Sequence, residues 1–290
     1  MRLSRGARVF RRIAVTLIVL WSLLPILVGV VTSFTPRPDV QSTAWLPSQP
    51  TATAYSTLVG GTKAAVANNQ VGIPTATDTA SFGHAMLNSA VLTVVSTIAI
   101  LGVSILGGFG FARLQFRGSR ALFVVILATL IVPVFTIVIA LFRLLADLHL
   151  IDTYPGLVLV FVSVQAPLGI WLFHNYCKDL PREPEEAALI DGCTRWQAFR
   201  RVVLPQMSSG IAALGAIFML AVWGEFLIPL LLSSTLSTKP VTVLITEFIG
   251  KYNTNYPLLM AAGVLAMIPP AIVALVLNRQ IRGVLGGSVG

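Results

Sequence analysis

The chain has 290 residues, of which 56% are hydrophobic and only 11% are charged. A soluble domain usually carries about 25% charged residues, so the composition excludes a soluble enzyme, a secreted disulfide-rich domain and a disordered chain. In a soluble protein the formal net charge of +9 would favour nucleic acid as a partner. A chain this apolar is instead predicted to lie in a membrane.

Six apolar runs are each close to the length of about 20 residues that a membrane-spanning helix needs. They cover residues 13–34, 86–112, 121–142, 154 or 157 to 176, 210–232 and 257–278. The first run follows five arginines, as in a secretory signal, but it is too long and has no A-x-A site before Pro36, so we expect a retained anchor. The predicted fold class is an all-α, polytopic membrane protein with six spans. Its expected parts are a basic N-terminus at 1–12, the first span at 13–34, an outer segment at 35–84, a core at 85–282 and a tail at 283–290.

The distribution of positive charge predicts the orientation. Fifteen of the 20 Lys and Arg residues lie at the N-terminus, after the second span, between the fourth and fifth spans, or after the sixth span. Positive residues collect on the cytoplasmic side, so we expect both termini in the cytoplasm. The positive charge then sets topology and attracts anionic lipid, with no nucleic-acid partner. Composition leaves open whether the outer segment 35–84 is an ordered lid or a loose linker.

The spans contain few polar groups that could form a pathway. Glu225, within Trp223-Gly224-Glu225-Phe226, is the one acidic residue well inside a predicted span. Its carboxylate either is hydrogen-bonded to neighbouring helices or reaches the outer interface, or it lines a pathway, and the sequence leaves these alternatives open. Prolines are expected to interrupt or kink the helices at Pro25, Pro133, Pro167, Pro229, Pro269 and Pro270. Small residues in the second span favour close helix packing at Gly102, Gly107, Gly108 and Gly110.

Motifs of catalysis and cofactor binding are absent from the sequence. It has no G-x-x-x-x-G-K-[S/T] loop, no metal-ligand spacing and no Ser-His-Asp candidate in one compartment. We therefore expect no catalytic residue, no metal and no cofactor on this chain, and a membrane enzyme is disfavoured. Cys177 and Cys193 are expected to be reduced thiols.

The predicted cytoplasmic loop, residues 177–208, has the pattern of two short helices. In the first, Pro184 suits an early position, and Glu185 and Glu186 lie in the first turn, where the helix dipole favours anions. Gly192 suits a left-handed residue at its end.

The second helix is predicted to begin with a capping box of Thr194 and Gln197 and to end at Pro205. Helical spacing predicts one apolar face made of Trp196, Phe199 and Val203. Such an amphipathic pair of helices suits a soluble partner, although spacing alone would equally allow a well-capped interfacial loop.

A resemblance decides between these interpretations. Glu186-Ala187-Ala188 with Asp191-Gly192 and Leu204-Pro205 resembles the EAA loop of binding-protein-dependent ABC importer permeases. The maltose-transporter-type carbohydrate branch of that family is similar over residues 10–282, at motifs that include Asn88-Ser89, Phe111-Ala112-Arg113, Val132-Pro133 and Asp152-Thr153-Tyr154-Pro155-Gly156-Leu157.

The resemblance implies a type I ABC importer permease fold and a subunit that imports a sugar or oligosaccharide across a bacterial plasma membrane. The implied partners are a second homologous permease, two ATPase subunits that use ATP, an extracytoplasmic solute-binding (lipo)protein and membrane lipid. A glycerophosphodiester or polyamine cargo, or a stand-alone secondary transporter, are the alternatives.

The resemblance also assigns residues. In that family the EAA loop lies in a groove on the ATPase, so small Ala187 and Ala188 would permit close docking. The implied coupling residues are Glu186, Ala187, Ala188, Asp191, Gly192, Phe199, Leu204 and Pro205. The candidate substrate-pathway residues are Trp223, Glu225 and Asn88.

Overall fold

The computed structural model describes residues 5–36, 40, 46–47, 49–67, 81–114, 116–249 and 254–286. Within these ranges all regular structure is helical, which confirms the predicted all-α class. The helices are α1 (Arg5–Ser33), α2 (Thr53–Ala67), α3 (Phe82–Arg113), α4 (Ser119–Ala128), α5 (Val134–Asp147), α6 (Tyr154–Asp179), α7 (Glu183–Ile190), α8 (Arg195–Gln206), α9 (Ser208–Trp223), α10 (Leu227–Leu232), α11 (Val241–Glu247) and α12 (Tyr256–Gly286).

The chain divides into two compact units. One consists of Met1–His84 with Leu244–Ile268, and the other of Ala85–Val243 with Pro269–Gly290. The second unit contains the predicted loop and all three candidate pathway residues.

In the first unit, α2 lies within the predicted outer segment. Three of its side chains are buried: Ala54, Thr57 and Leu58. The Tyr55 hydroxyl lies 2.7 Å from Ser33 Oγ, and its ring centroid lies 5.0 Å from that of Phe34. The described part of this segment is therefore an ordered helix attached to the end of α1, whereas residues 68–80 lie outside the described residues.

Four helices are long and apolar enough to cross a membrane: Val9–Ser33, Phe82–Arg113, Tyr154–Asp179 and Tyr256–Val276. They correspond to the predicted first, second, fourth and sixth spans. Two predicted boundaries differ from the structure. Helix α1 begins at Arg5, inside the predicted basic terminus 1–12, and α12 continues to Gly286, inside the predicted tail 283–290. Residues 1–4 and 287–290 lie outside the described part of the chain.

The predicted third span is broken, not continuous. The helical segments Ser119–Ile131 and Val134–Asp147 meet at an angle of 103°. Pro133 causes the break, because it has no N–H and forces the residue before it out of the helical region. Val132 accordingly has an extended ψ of 118°. Of the other prolines expected to interrupt helices, Pro229 lies in the first turn of α10, and Pro25, Pro167, Pro269 and Pro270 lie in helices that continue past them.

The predicted fifth span, residues 210–232, is also interrupted. Helix α9 ends at Trp223, and α10 begins at Leu227 after a short non-helical stretch. At its other end, α9 makes an angle of 73° with α8. The loop helix α8 therefore leads directly into a membrane helix through a single bend.

Close packing of α3 against α6 forms much of the core. A Cβ atom added to Gly108 would lie 2.6 Å from Phe173 Cβ and 2.8 Å from His174 N, and one added to Gly169 would clash with Ser104 Oγ. The predicted small-residue packing is thus confirmed at Gly107 and Gly108, whereas Gly102 and Gly110 have open space around them. Aromatic side chains that are at most 1% exposed fill this core: Phe161, Phe173 and Phe218.

Candidate functional site

The first loop helix, α7, has both predicted ends. Pro184 lies in its first turn, together with Glu183, Glu185 and Glu186. At the other end Gly192 has a φ of +87°, which only glycine adopts without strain. Backbone bonds close this end, from Gly192 N to Leu189 O at 3.1 Å and from Cys193 N to Ala188 O at 3.0 Å. This pair of bonds is the Schellman motif, which ends a helix with a sharp turn.

The second loop helix, α8, begins with the predicted capping box. Thr194 N donates to Gln197 Oε1 at 2.8 Å, and Gln197 N donates to Thr194 Oγ1 at 3.3 Å. The prediction that Pro205 ends this helix is wrong, because the helix continues to Gln206. Phe199–Val203 form a π-helical turn, in which Leu204 N donates to Phe199 O. The wider turn accommodates the proline ring and its missing N–H.

The packing of α8 shows that only part of the predicted apolar face is buried. Phe199 and Val203 are each 3% exposed, and the Phe199 ring centroid lies 4.5 Å from that of Phe109 on α3. Trp196 also contacts Phe199, at a centroid distance of 5.3 Å, but it remains 59% exposed. Phe199 therefore anchors the loop to α3, whereas Trp196 lies on the surface.

The implied coupling residues divide between surface and interior. Ala188 is buried whereas Ala187 is exposed, and the docking role that the resemblance gives both alanines stays a prediction. Leu204 is half-buried and Pro205 is exposed. The exposed residues include Ile190, which is 86% exposed. We define the loop surface as Glu186, Ala187, Ile190, Asp191, Gly192 and Trp196, all of which are exposed.

An ion pair that sequence reasoning missed connects the loop to two spans. Arg113 Nε, at the end of α3, lies 3.1 Å from Glu185 Oε2 on α7. Arg113 Nη2 also donates to Leu180 O, at the end of α6, at 3.1 Å. The Arg113 and Glu185 side chains are only 5% and 16% exposed. The two residues are far apart in the sequence, so no local spacing predicts that they meet.

At the opposite end of α3, Asn88 is buried in a hydrogen-bond network. Its Nδ2 donates to Leu236 O at 2.9 Å and to Lys239 O at 3.0 Å, and its Oδ1 accepts from the Tyr154 hydroxyl at 2.7 Å. The neighbouring Ser89 Oγ accepts from Val241 N at 2.8 Å. The Asn88 amide therefore holds the loop that follows α10, and its predicted place in a substrate pathway stays a prediction.

Asp152 holds the same loop from the start of α6. One carboxylate oxygen accepts from Ser234 N at 3.1 Å, Thr235 N at 3.2 Å and the Thr238 hydroxyl, and the other accepts from Thr235 Oγ1 at 2.6 Å. Burial by itself raises the pKa of Asp152, but these hydrogen bonds outweigh burial and bring the pKa below its ordinary value. The carboxylate is thus held in its charged form.

Glu225 and Trp223 lie where span five is interrupted. Glu225 Oε1 accepts from Leu227 N at 3.0 Å and from Ile228 N at 3.4 Å, so the carboxylate satisfies first-turn amides of α10. The hydrogen-bonded interpretation of Glu225 fits this geometry. Trp223 lines an apolar cavity of about 110 Å³ together with Pro269 and Pro270. Of the three candidate pathway residues, Trp223 alone lines this cavity, and the role of all three in a substrate pathway stays a prediction.

Several long apolar helices are those of a multi-pass membrane protein. Residues 100–282 match the family model described as binding-protein-dependent transport system inner membrane component. The chain belongs to this family of ABC importer permeases, and the predicted resemblance is confirmed.

Curated relatives match most of this chain. It is 33% identical to the osmoprotective compounds uptake permease protein GgtD of Synechocystis sp., over 71% of this chain and 70% of the relative. It is 32% identical to the arabinooligosaccharides transport system permease protein AraQ of Bacillus subtilis, over 70% and 72%. A bacterial ABC transporter that imports the acidic polysaccharide alginate has the same fold, with a TM-score of 0.79 and 20% identity over 96% of this chain and 99% of that chain.

Proposed function

We propose that this chain is one of two transmembrane permease subunits of an ATP-driven importer, and that the importer takes up a sugar or oligosaccharide. The observation that carries the proposal is the loop surface. It combines exposed apolar side chains, Ile190 and Trp196, with the acidic Glu186 and Asp191 on two rigidly capped helices. Two short capped helices that expose apolar and acidic side chains together suit the groove of a soluble partner.

The sugar cargo is supported by the relatives. Besides AraQ, the diacetylchitobiose uptake permease NgcG of Streptomyces coelicolor is 32% identical over 70% of this chain. The trehalose transport system permease SugB of Mycobacterium tuberculosis is 27% identical over 94% of it. The cargoes named for these three permeases are saccharides, which favours a saccharide here over a glycerophosphodiester or a polyamine.

The partners follow from the division of labour in such a machine. A second homologous permease completes the pathway, and an extracytoplasmic solute-binding protein delivers the cargo. Two ATPase subunits bind and hydrolyse ATP, and the loop surface is where an ATPase contacts this chain. This chain itself binds no cofactor and catalyses no reaction, and bacterial membrane lipid surrounds its spans. Glu186, Asp191 and Gly192 contact the ATPase, while Phe199 keeps the loop on α3.

Both termini lie in the cytoplasm in this proposal. The Arg113–Glu185 contact supports the orientation, because it brings the basic end of the second span and the basic loop to the same end of the helices. The positive-inside rule assigns that end to the cytoplasm. The Asn88 and Asp152 end then faces outward, toward the solute-binding protein.

Purification from the native host tests the machine. The tagged chain, extracted in mild detergent, is expected to bring with it a homologous permease, an ATPase and a binding protein, all identifiable by mass spectrometry. The variant Glu186→Arg should lose the ATPase but keep the second permease, while the exposed Arg117→Glu, outside the loop, should keep both. A monodisperse chain that copurifies with none of them and has no ATPase activity would contradict the proposal and favour a secondary transporter.

Uptake by the purified complex in vesicles tests the cargo. Saccharides of increasing length are compared with a glycerophosphodiester and a polyamine, in the presence of the copurified binding protein. ATP-dependent accumulation of a saccharide supports the proposal, and accumulation of only one of the other two classes contradicts it. Uptake that needs a proton gradient and survives ATP depletion would contradict the machine itself.

A further inference from the structure

The Arg113 guanidinium lies where three elements meet. Its own helix, α3, ends at Arg113, and Leu180, whose carbonyl it contacts, is the residue that follows the last turn of α6. Carbonyls at the end of a helix have no intrahelical partner and form the negative end of the helix dipole. The guanidinium therefore lies next to the end of α6, bonded to the Leu180 carbonyl, while its Nε faces Glu185 in the first turn of α7.

This arrangement depends on both charges. Arginine presents several donors in a fixed plane, so it can serve a carbonyl and a carboxylate together, which the single ammonium of lysine does less well. The pair is largely shielded from water, and Arg113 Nε, Arg113 Nη1 and Glu185 Oε2 are buried without a hydrogen bond, so the two side chains interact through their charges. Removal of the Glu185 charge would leave a buried cation without its counter-ion, which is far more costly than loss of an exposed pair.

We propose that the Arg113–Glu185 pair is a coupling clamp, which makes α7 move as one body with the ends of α3 and α6. The clamp rests on the proposed function, because it matters only if an ATPase displaces the loop. Without the pair, α7 could tilt about the Gly192 turn while the spans stayed in place. Glu185 is thus a positioning residue that acts through Arg113, next to Glu186, which faces the partner.

A second contact makes the clamp separable from folding. Phe199 on α8 packs on Phe109 of α3 at a centroid distance of 4.5 Å, in a part of the loop that does not include the ion pair. Loss of the pair should therefore leave α8 attached and the chain folded. The expected defect is that displacement of α7 no longer moves the ends of α3 and α6, while the subunit still assembles with its partners.

The test compares solute imported per ATP hydrolysed by the complete complex in vesicles. Glu185→Gln, which keeps the size of the side chain, and Arg113→Glu should each lower this ratio at least about fivefold, a typical lower value for coupling between sites, while ATP hydrolysis continues. The double variant Arg113→Glu with Glu185→Arg should restore the ratio in part, because a carboxylate at position 113 cannot donate to Leu180. Arg117→Glu, the same charge change at an exposed site four residues away, should leave the ratio unchanged.

Two results would overturn the clamp: a wild-type ratio in Glu185→Gln, or a double variant no better than Arg113→Glu alone. Hydrogen exchange on the purified chain provides a measurement that needs no partner. The clamp predicts faster amide exchange over Glu183–Ile190 in Glu185→Gln and no change in Arg117→Glu, and equal exchange in all three proteins would contradict it. A wild-type complex with no ATP-dependent uptake would instead contradict the proposed function, and the exchange experiment would still decide whether the pair holds α7.

Discussion

The two ends of α3 are held by different chemistry. At one end, Asn88 on α3 and Asp152, just before α6, form several hydrogen bonds to the same loop. The Asn88 amide uses both its nitrogen and its oxygen. At the other end the ion pair Arg113–Glu185 and the aromatic contact of Phe199 attach the cytoplasmic loop of the proposal, which leaves the loop surface exposed. The first arrangement fixes a loop in place, and the second leaves a surface on which the proposed ATPase could act.

This difference matters because the loop at the Arg113 end has a second attachment, the Phe199 contact, that does not depend on the ion pair. A buried network loses stability when one member is removed, since the remaining groups keep their desolvation cost. A loop that transmits force can keep its fold and still lose its function when its attachment or its docking surface changes. Variants at the Arg113 end are therefore expected to change coupling, and variants at the Asn88 end are expected to change stability.

The largest effect is predicted for Gly192→Asp. The substitution places a charged side chain at a φ of +87°, at the turn between the two loop helices. Uptake by the complex should fall at least about tenfold, while ATP hydrolysis continues. A Cβ at this position meets nothing of the chain itself within 4 Å, so the defect arises at the partner or from the backbone.

Gly192→Asn separates these two causes. Asparagine has nearly the same size, tolerates left-handed backbone and carries no charge. A milder loss in Gly192→Asn than in Gly192→Asp is expected if charge at the docking surface dominates. Wild-type uptake in Gly192→Asp would remove Gly192 from the coupling element.

The next effect tests how tightly α3 and α6 are joined near the Arg113 end. Gly108→Ala would place a Cβ atom 2.8 Å from the backbone nitrogen of His174. Overpacking of this kind typically costs about 1–3 kcal/mol, so the midpoint of thermal unfolding in detergent should fall. Gly102→Ala on the same helix, where the added atom meets nothing within 4 Å, is the matched control. Equal midpoints for the two variants would contradict the close packing.

Local features of this structure could be predicted from the sequence, and long-range ones could not. The capping box of Thr194 and Gln197 and the turn at Gly192 depend on contacts within four residues, and both are present as predicted. The four continuous spans follow from length and hydropathy alone. The Arg113–Glu185 pair depends on how α3, α6 and α7 pack together, which one sequence does not specify.

Helix interruptions show where local rules stop. The break at Pro133 has a local cause, but the angle of 103° depends on what the two halves pack against. The break after Trp223 has no strong stop signal, since a single glycine there is weak. There the Glu225 carboxylate replaces lost helical bonds by accepting from α10 amides. The prediction at Pro205 was wrong in the opposite direction. The helix was expected to end there, but a π-helical turn accommodates the proline.

At the opposite end of α3, Asn88→Ala is predicted to destabilise the protein. The variant removes the hydrogen-bond partners of two carbonyls and of the Tyr154 hydroxyl. Each buried group left without a partner lowers the free energy of unfolding by about 1–3 kcal/mol. Tyr154→Phe removes only one of these bonds and should cost about 1 kcal/mol. Thermal unfolding of both variants measures the difference. If Asn88→Ala keeps wild-type stability and loses uptake, the residue belongs to the substrate pathway and not to the network.

The smallest effect is predicted for acidification of the Asp152 site. Hydrogen bonds from Thr235 and Thr238 keep the pKa of Asp152 below its unfolded value despite burial. The carboxylate therefore contributes stability that is present above the unfolded pKa and is lost as the pH falls through the folded one. Between about pH 5 and pH 3, the thermal midpoint of the wild type should fall more steeply than that of Asp152→Asn.

Asp147→Asn provides the control for this pH dependence, because Asp147 is an exposed carboxylate at the end of α5, close to Asp152 in the sequence. It should retain the wild-type slope of midpoint against pH. If the slope in Asp152→Asn equals that of the wild type, the hydrogen bonds to Thr235 and Thr238 do not depend on the charge of Asp152. Of the two ends of α3, only the Arg113 end would then need an ionised carboxylate.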